Sequence, residues 1–200
     1  LTDAIVLTPT RRGARALAEA FVKAAGGRPV LLPQIRAVGD LDEGEPPFEP
    51  GTIALGLPPA VSPLRRRFEL ARLIVEHRDA VGRDLDAPAA LEMADALAGF
   101  MDSLWIEERF ETADIDALAG ADHAKHWAQS ARVLAIALKH WPARLEELGL
   151  IDPTDRRVRL SKALAGQWRE RPPTAPLIAA GSTGTAPAAA ELLAAVAAAP

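Results

Sequence analysis

Asp3-Ala-Ile-Val-Leu-Thr8, then Pro9-Thr10, residues 11–25, Gly26-Gly27 and Pro29-Val-Leu-Leu32 form the stretch that decides the fold. Residues 3–8 are a short apolar run with β-branched members, the pattern of a buried strand. Pro9-Thr10 ends it. Residues 11–25 then carry Ala14, Leu17, Ala18, Phe21 and Val22 at helical spacing, and Gly26-Gly27 stops that helix. Pro29-Val-Leu-Leu32 predicts a second strand, with 34–38 as its extension. Strand, helix and strand within about 35 residues is the rhythm of a βαβ unit, whose strands are parallel.

Outward from this unit the character changes. Residues 39–60 are rich in acid, Gly and Pro and read as a loop or boundary. Residues 62–171 are helical. Ser62-Pro63 starts a helix with Leu64, Phe68, Ala71 and Val75 on one face, and a second covers about 89–108 with Leu91, Ala94, Leu97, Met101, Leu104 and Trp105 as its stripe. A third covers about 122–140, with Trp127, Leu134 and Leu138. Trp141-Pro142 leads into a short helix ending near Gly149, and Asp152-Pro153 starts a last one marked by Val158, Leu164 and Trp168. Burial of Trp105, Trp127 and Trp168 is expected. Pro172-Pro173 closes the block, 176–180 is strand-like again, Gly181 to Thr185 is a polar turn, and 187–199 is an alanine-rich helix. The expected architecture is α/β, a parallel-sheet layer (1–60 and 172–200) interrupted by an all-helical insertion (61–171).

Composition narrows the function classes. With 23 basic and 27 acidic residues the net charge is −4, so no global field draws the chain to nucleic acid or anionic lipid. The absence of cysteine excludes a disulfide scaffold, cysteine-ligated zinc, an iron–sulfur site and a cysteine nucleophile within these residues. No apolar run is long enough to span a membrane, and the expected location is the cytoplasm. The chain opens at Leu1 almost inside a strand and ends at Pro200 beside a helical run, which predicts a piece of a longer polypeptide.

No G-x-x-x-x-G-K-[ST] loop is present to cradle a nucleotide triphosphate, and no G-x-S-x-G or H-E-x-x-H occurs. No catalytic residue and no metal site is assigned. His123 and His126 beside Asp122 lack a second ligand pair, and exposed helix polars account for them. Two strand-to-helix turns are candidate anion sites, because free N–H groups and the helix dipole point at such turns. One is Thr8-Pro-Thr-Arg-Arg12, with Thr8, Thr10, Arg11, Arg12 and Arg15 as candidate DNA contacts; a threonine cap before a solvated basic face explains the same residues. The other is Ala180-Gly-Ser-Thr-Gly-Thr-Ala-Pro187, with Ser182, Thr183 and Thr185; a plain βα connection capped by a hydroxyl is the commoner explanation of these residues. Arg65-Arg66-Arg67 is a competing basic run at a helix start, where positive charge opposes the macrodipole.

Three stretches together resemble the alphaproteobacterial type of AddB, the B subunit of the AddAB helicase–nuclease of double-strand break repair. They are Ala4-Ile-Val-Leu-Thr-Pro-Thr-Arg-Arg-Gly-Ala-Arg-Ala-Leu17, Leu57-Pro-Pro-Ala-Val-Ser-Pro-Leu-Arg-Arg-Arg67, and Pro176-Leu-Ile-Ala-Ala-Gly-Ser-Thr-Gly-Thr-Ala-Pro-Ala-Ala-Ala-Glu-Leu-Leu193. The spacer Gly149-Leu-Ile-Asp-Pro153 fits as well. The resemblance implies a partial P-loop-helicase-like domain, the amino-terminal part of a much longer protein. That parent would carry its nuclease, its Mg²⁺ and its iron–sulfur cluster outside these residues. Thr8, Pro9, Thr10 and Arg11 would sit on the motif that touches single-stranded DNA. Ala180 and Gly181 would occupy the Walker B position, where an active motor needs an acidic pair to hold Mg²⁺. The implied role is an inactive helicase-like scaffold that binds DNA, as a single strand or a duplex end, and docks the motor subunit AddA, with no cofactor in this segment. The rival expectations are a nucleotide- or phosphate-ligand enzyme using the Gly181–Thr185 turn, and a helical protein-interaction module.

Overall fold

The computed structural model describes residues 2–38, 56–81, 85–110 and 132–199. The fold is mixed α/β, mostly helical, around a small three-stranded parallel sheet. The chain divides into two compact units, one of residues 1–56 with 157–200 and the other of residues 57–156.

The first unit holds the sheet, in order β2-β1-β3. The central strand β1 (Ile5–Thr8) is buried along its whole length and pairs in parallel with β2 (Gln34–Ala37) and β3 (Leu177–Ala179). Helix α1 (Arg11–Ala24) carries the chain from β1 to β2 and ends at Gly26 and Gly27, whose left-handed φ of 59° and 83° suit only glycine. The second strand lies later than its apolar content suggests. Residues 30–32 are exposed and without strand structure, and pairing starts where Gln34 donates its N–H to the Ala4 carbonyl at 2.9 Å. Pro33, which has no N–H to donate, separates the apolar run from the paired segment.

The second unit is built from α2 (Pro63–Glu76), α3 (Arg78–Val81), α4 (Ala87–Ile106), one π-helical turn (Ile136–His140) and α5 (Trp141–Leu148). Its core joins Leu70, Leu73 and Ile74 of α2 to Ala94, Leu97 and Met101 of α4 and to Ile136, Trp141 and Leu145. The chain enters and leaves this unit at one place. Val61 donates to the Ile151 carbonyl at 3.0 Å and Ile151 to the Pro59 carbonyl at 3.1 Å, closing a parallel bridge. Gly149, at φ 63°, turns the chain out of α5 toward that bridge.

Helix α6 (Pro153–Glu170) begins at Asp152, whose Oδ1 accepts the Thr154 N–H at 2.9 Å. Its later part belongs to the first unit, where Leu164, Ala165 and Trp168 pack with Leu7, Val38 and with Leu192, Ala195 and Val196 of α7 (Pro187–Ala198).

One expectation on packing is corrected. The α2 stripe read as core is outward: Leu64, Phe68 and Val75 are 64%, 55% and 45% exposed, and of that set Ala71 alone is buried. Trp105 is substantially buried, as expected, packed against the core of its unit and stacked on Phe110 with ring centroids 4.0 Å apart. Trp168 is buried, as is Trp141, while Trp127 lies outside the described residues, as does the His123–His126 pair.

Candidate functional site

In a parallel sheet every strand ends at the same edge, so the turns after β1 and β3 are neighbours here. The pleat sends Leu7 and Thr8 to opposite faces. Leu7 is covered by α6 and α7. A Cβ built at Gly13, near the start of α1, would lie 3.7 Å from the Thr8 Cβ. Helices α1 and α7, which follow adjacent strands, therefore leave on opposite faces. This is the arrangement that opens a crevice at the carboxyl ends of the strands. The two turns lie side by side at that edge, a Cβ at Gly181 falling 3.9 Å from the Pro9 Cδ. Ala180, whose N–H donates to the Leu7 carbonyl at 2.8 Å, is the last paired residue before the second turn.

The threonines of the first turn shape it. Thr8 is buried, and its hydroxyl proton is shared between the carbonyls of Thr10 and Arg36, each at 3.2 Å. Thr10 is the α1 N-cap, its Oγ1 accepting the Gly13 N–H at 3.1 Å. Arg11, Arg12 and Arg15 follow, all exposed, with no acidic residue in the first helical turn. Arg11 and Arg12 thus stand at the positive end of a helix dipole, where an anion is also favoured.

The second turn is formed differently. Gly181 and Gly184 have φ of 73° and 62°, and a Cβ at Gly184 would press to 3.1 Å from the Leu193 Cδ1. The turn thus lies tight against α7. The cap of α7 is Ala186, which offers no side-chain hydrogen bond, so the first N–H groups of that helix face the turn without one. Ser182 is half-buried, and Thr183 and Thr185 are exposed. Between Leu177 and Ala186 there is no Asp or Glu. Ala180 and Gly181 cannot hold a metal or take a proton, so this edge is equipped to hold anions through N–H groups, hydroxyls and guanidiniums.

The Arg65–Arg67 run is not a basic patch. Arg66 is buried in the second unit, with Nη2 at 2.9 Å from Asp102 Oδ1 and 3.0 Å from Asp152 Oδ2. Asp152, 1% exposed, also accepts the Trp141 Nε1–H at 3.0 Å, and the Thr154 hydroxyl donates to Asp102 at 2.6 Å. Arg67 grips Asp95 through two bonds of 2.9 and 2.8 Å, and Arg65 lies 3.8 Å from Glu69. Sequence reading missed the Arg66 network. The available signal was an arginine in phase with Leu70, Leu73 and Ile74.

Two further groups are electrostatically displaced in this unit. The Arg144 hydrogen bond holds the Glu69 carboxyl below the usual glutamate range, and burial, then His77 and Lys139, push the His140 imidazole down. The His77 and His140 rings lie 4.0 Å apart. Among the described residues no group of three or more His, Asp or Glu could hold a metal ion, and no helix is long and apolar enough to cross a membrane.

No family model, no curated protein and no solved structure matches the chain.

Proposed function

We propose that this chain is the helicase-like, non-hydrolysing segment of an AddB-type break-repair subunit, a cytoplasmic scaffold that guides single-stranded DNA and docks the motor subunit AddA. The observation that carries the reading is the closeness of two turns at one edge of the sheet. One brings exposed Arg11, Arg12 and Arg15, and the other brings hydroxyls and the uncapped start of α7. Such a surface recognises the phosphate backbone and has nothing aimed at base edges, so binding is sequence-tolerant. The alanine and glycine that end β3 favour a scaffold over a motor, because a motor needs acids there for Mg²⁺.

Photo-crosslinking tests the placement. A single-stranded oligonucleotide with photoreactive thymines should yield crosslinked peptides from residues 8–15 and 181–186. Crosslinks confined to residues 57–156 would refute it. The uncapped α7 also suits a small phosphate ligand, a reading that gains if millimolar inorganic phosphate displaces the oligonucleotide at constant ionic strength.

A further inference from the structure

Helix α2 is apolar on two sides. Leu70, Leu73 and Ile74 face the core of its unit, while Leu64, Phe68 and Val75 stand 64%, 55% and 45% exposed. Steps of four and seven residues put these three within about 40° of one another around the helix. Single exposed apolar residues are ordinary, but three large ones in one stripe form a patch. Beside it, about a quarter-turn round the helix, Arg65, Glu69, Arg72 and Glu76 form a second stripe whose charge alternates along the axis. Within the chain Arg72 lies 3.3 Å from Glu69 and 3.2 Å from Glu76, but Glu69 is only 13% exposed and is held by Arg144 at 3.0 Å, so Arg65, Arg72 and Glu76 are the members of the stripe that reach the surface.

We propose that this face is a self-association surface, on which a second copy of the chain packs its own α2 antiparallel. The argument is charge complementarity. A two-fold axis across the helix keeps the charged stripe on the same flank and reverses its direction. Arg65 then meets Glu76 of the second copy at each end of the contact, while the Leu64–Phe68–Val75 seams lie together beside these pairs. A parallel pair brings this stripe against the opposite flank, where the match is lost. The seam is about 17 Å long, so the contact is small and the dimer weak and concentration-dependent. The inference is independent of the DNA reading, since none of these residues lies at the β1/β3 edge.

The test is sedimentation velocity of the chain over a concentration series at low salt. A reversible monomer–dimer equilibrium is expected, abolished by Phe68→Glu, with far-ultraviolet circular dichroism confirming that each variant is folded. Arg65 and Glu76 have side chains 51% exposed, so reversing either leaves the fold intact. Arg65→Glu alone and Glu76→Arg alone should each weaken the dimer about tenfold, as both symmetric contacts turn repulsive. An equimolar mixture of the two variants should restore parental affinity, because every opposed pair is again of opposite sign. A chain that stays monomeric at every concentration overturns the proposal. So does a mixture that fails to recover.

Discussion

Asp152 is the residue on which most of the second unit's polar chemistry converges, accepting from Arg66, Trp141 and the Thr154 backbone. Replacing it with Ala leaves the Arg66 guanidinium, 9% exposed, with Asp102 as its one remaining carboxylate among the described residues, beside the Ala98 carbonyl at 3.4 Å. Breaking a buried pair from one side costs about 3–5 kcal/mol, and denaturant unfolding of Asp152→Ala should show that loss. Trp141→Phe keeps most of the ring and removes only the indole donor, so it should cost less, about 1–3 kcal/mol. A second residue-scale expectation concerns His140, whose folded imidazole is held below the ordinary value of 6.5 by burial, then by His77 and Lys139. The folded state resists the proton more than the unfolded chain does. The stability this gives is present above pH 6.5 and lost as pH falls through the depressed folded value. Melting temperature should drop as the pH falls from 6.5 toward the depressed folded value, and His140→Gln should flatten the drop. An unchanged profile in that variant would remove His140 from the account.

At the scale of elements, strong chemical punctuation was legible and phase was not. The proline starts of α2, α6 and α7, the glycine stop of α1 and the position of β1 follow from residues with one conformational preference each. The phase of α2 was misread because the helix has two apolar sides, and the inward one contains an arginine that hydropathy counts as surface. The second strand was misplaced because Val30, Leu31 and Leu32 look more strand-like than Gln34–Ala37. Register with Ala4, a tertiary fact, decided between them. At the candidate site both turns and their arginines were visible in sequence. Their closeness at one edge was not, since it depends on β3 pairing with β1 after more than 150 residues. The glycines offer a test of these elements. Gly184→Ala forces a side chain into φ 62° and against Leu193 and should cost about 1–2 kcal/mol. Gly99→Ala and Gly166→Ala, in α4 and α6 with nothing within 4 Å of the new Cβ, should each stabilise by about 0.5–1 kcal/mol. Thermal melts that rank these three variants otherwise would contradict the helix and turn assignments.

For the whole molecule, a net charge of −4 means that affinity for DNA has to come from a local surface. Because β3 runs into Ala180-Gly181 and the stretch from Leu177 to Ala186 contains no Asp or Glu, the chain should show no magnesium-dependent ATP hydrolysis above a buffer control. Activity that survives purification and falls with Thr183→Ala would refute the scaffold reading. The most direct test of the central claim is fluorescence anisotropy of a short single-stranded oligonucleotide titrated with the chain at low salt. The account predicts weak binding, little preference among sequences, and a shallow salt dependence of about −0.7 in log K per phosphate contact. It also predicts that Arg11→Ala/Arg12→Ala abolishes the signal, while Arg67→Ala, which removes only a partner of Asp95, leaves it unchanged. A double variant that binds as tightly as the parent would contradict the assignment of the β1/β3 edge to DNA.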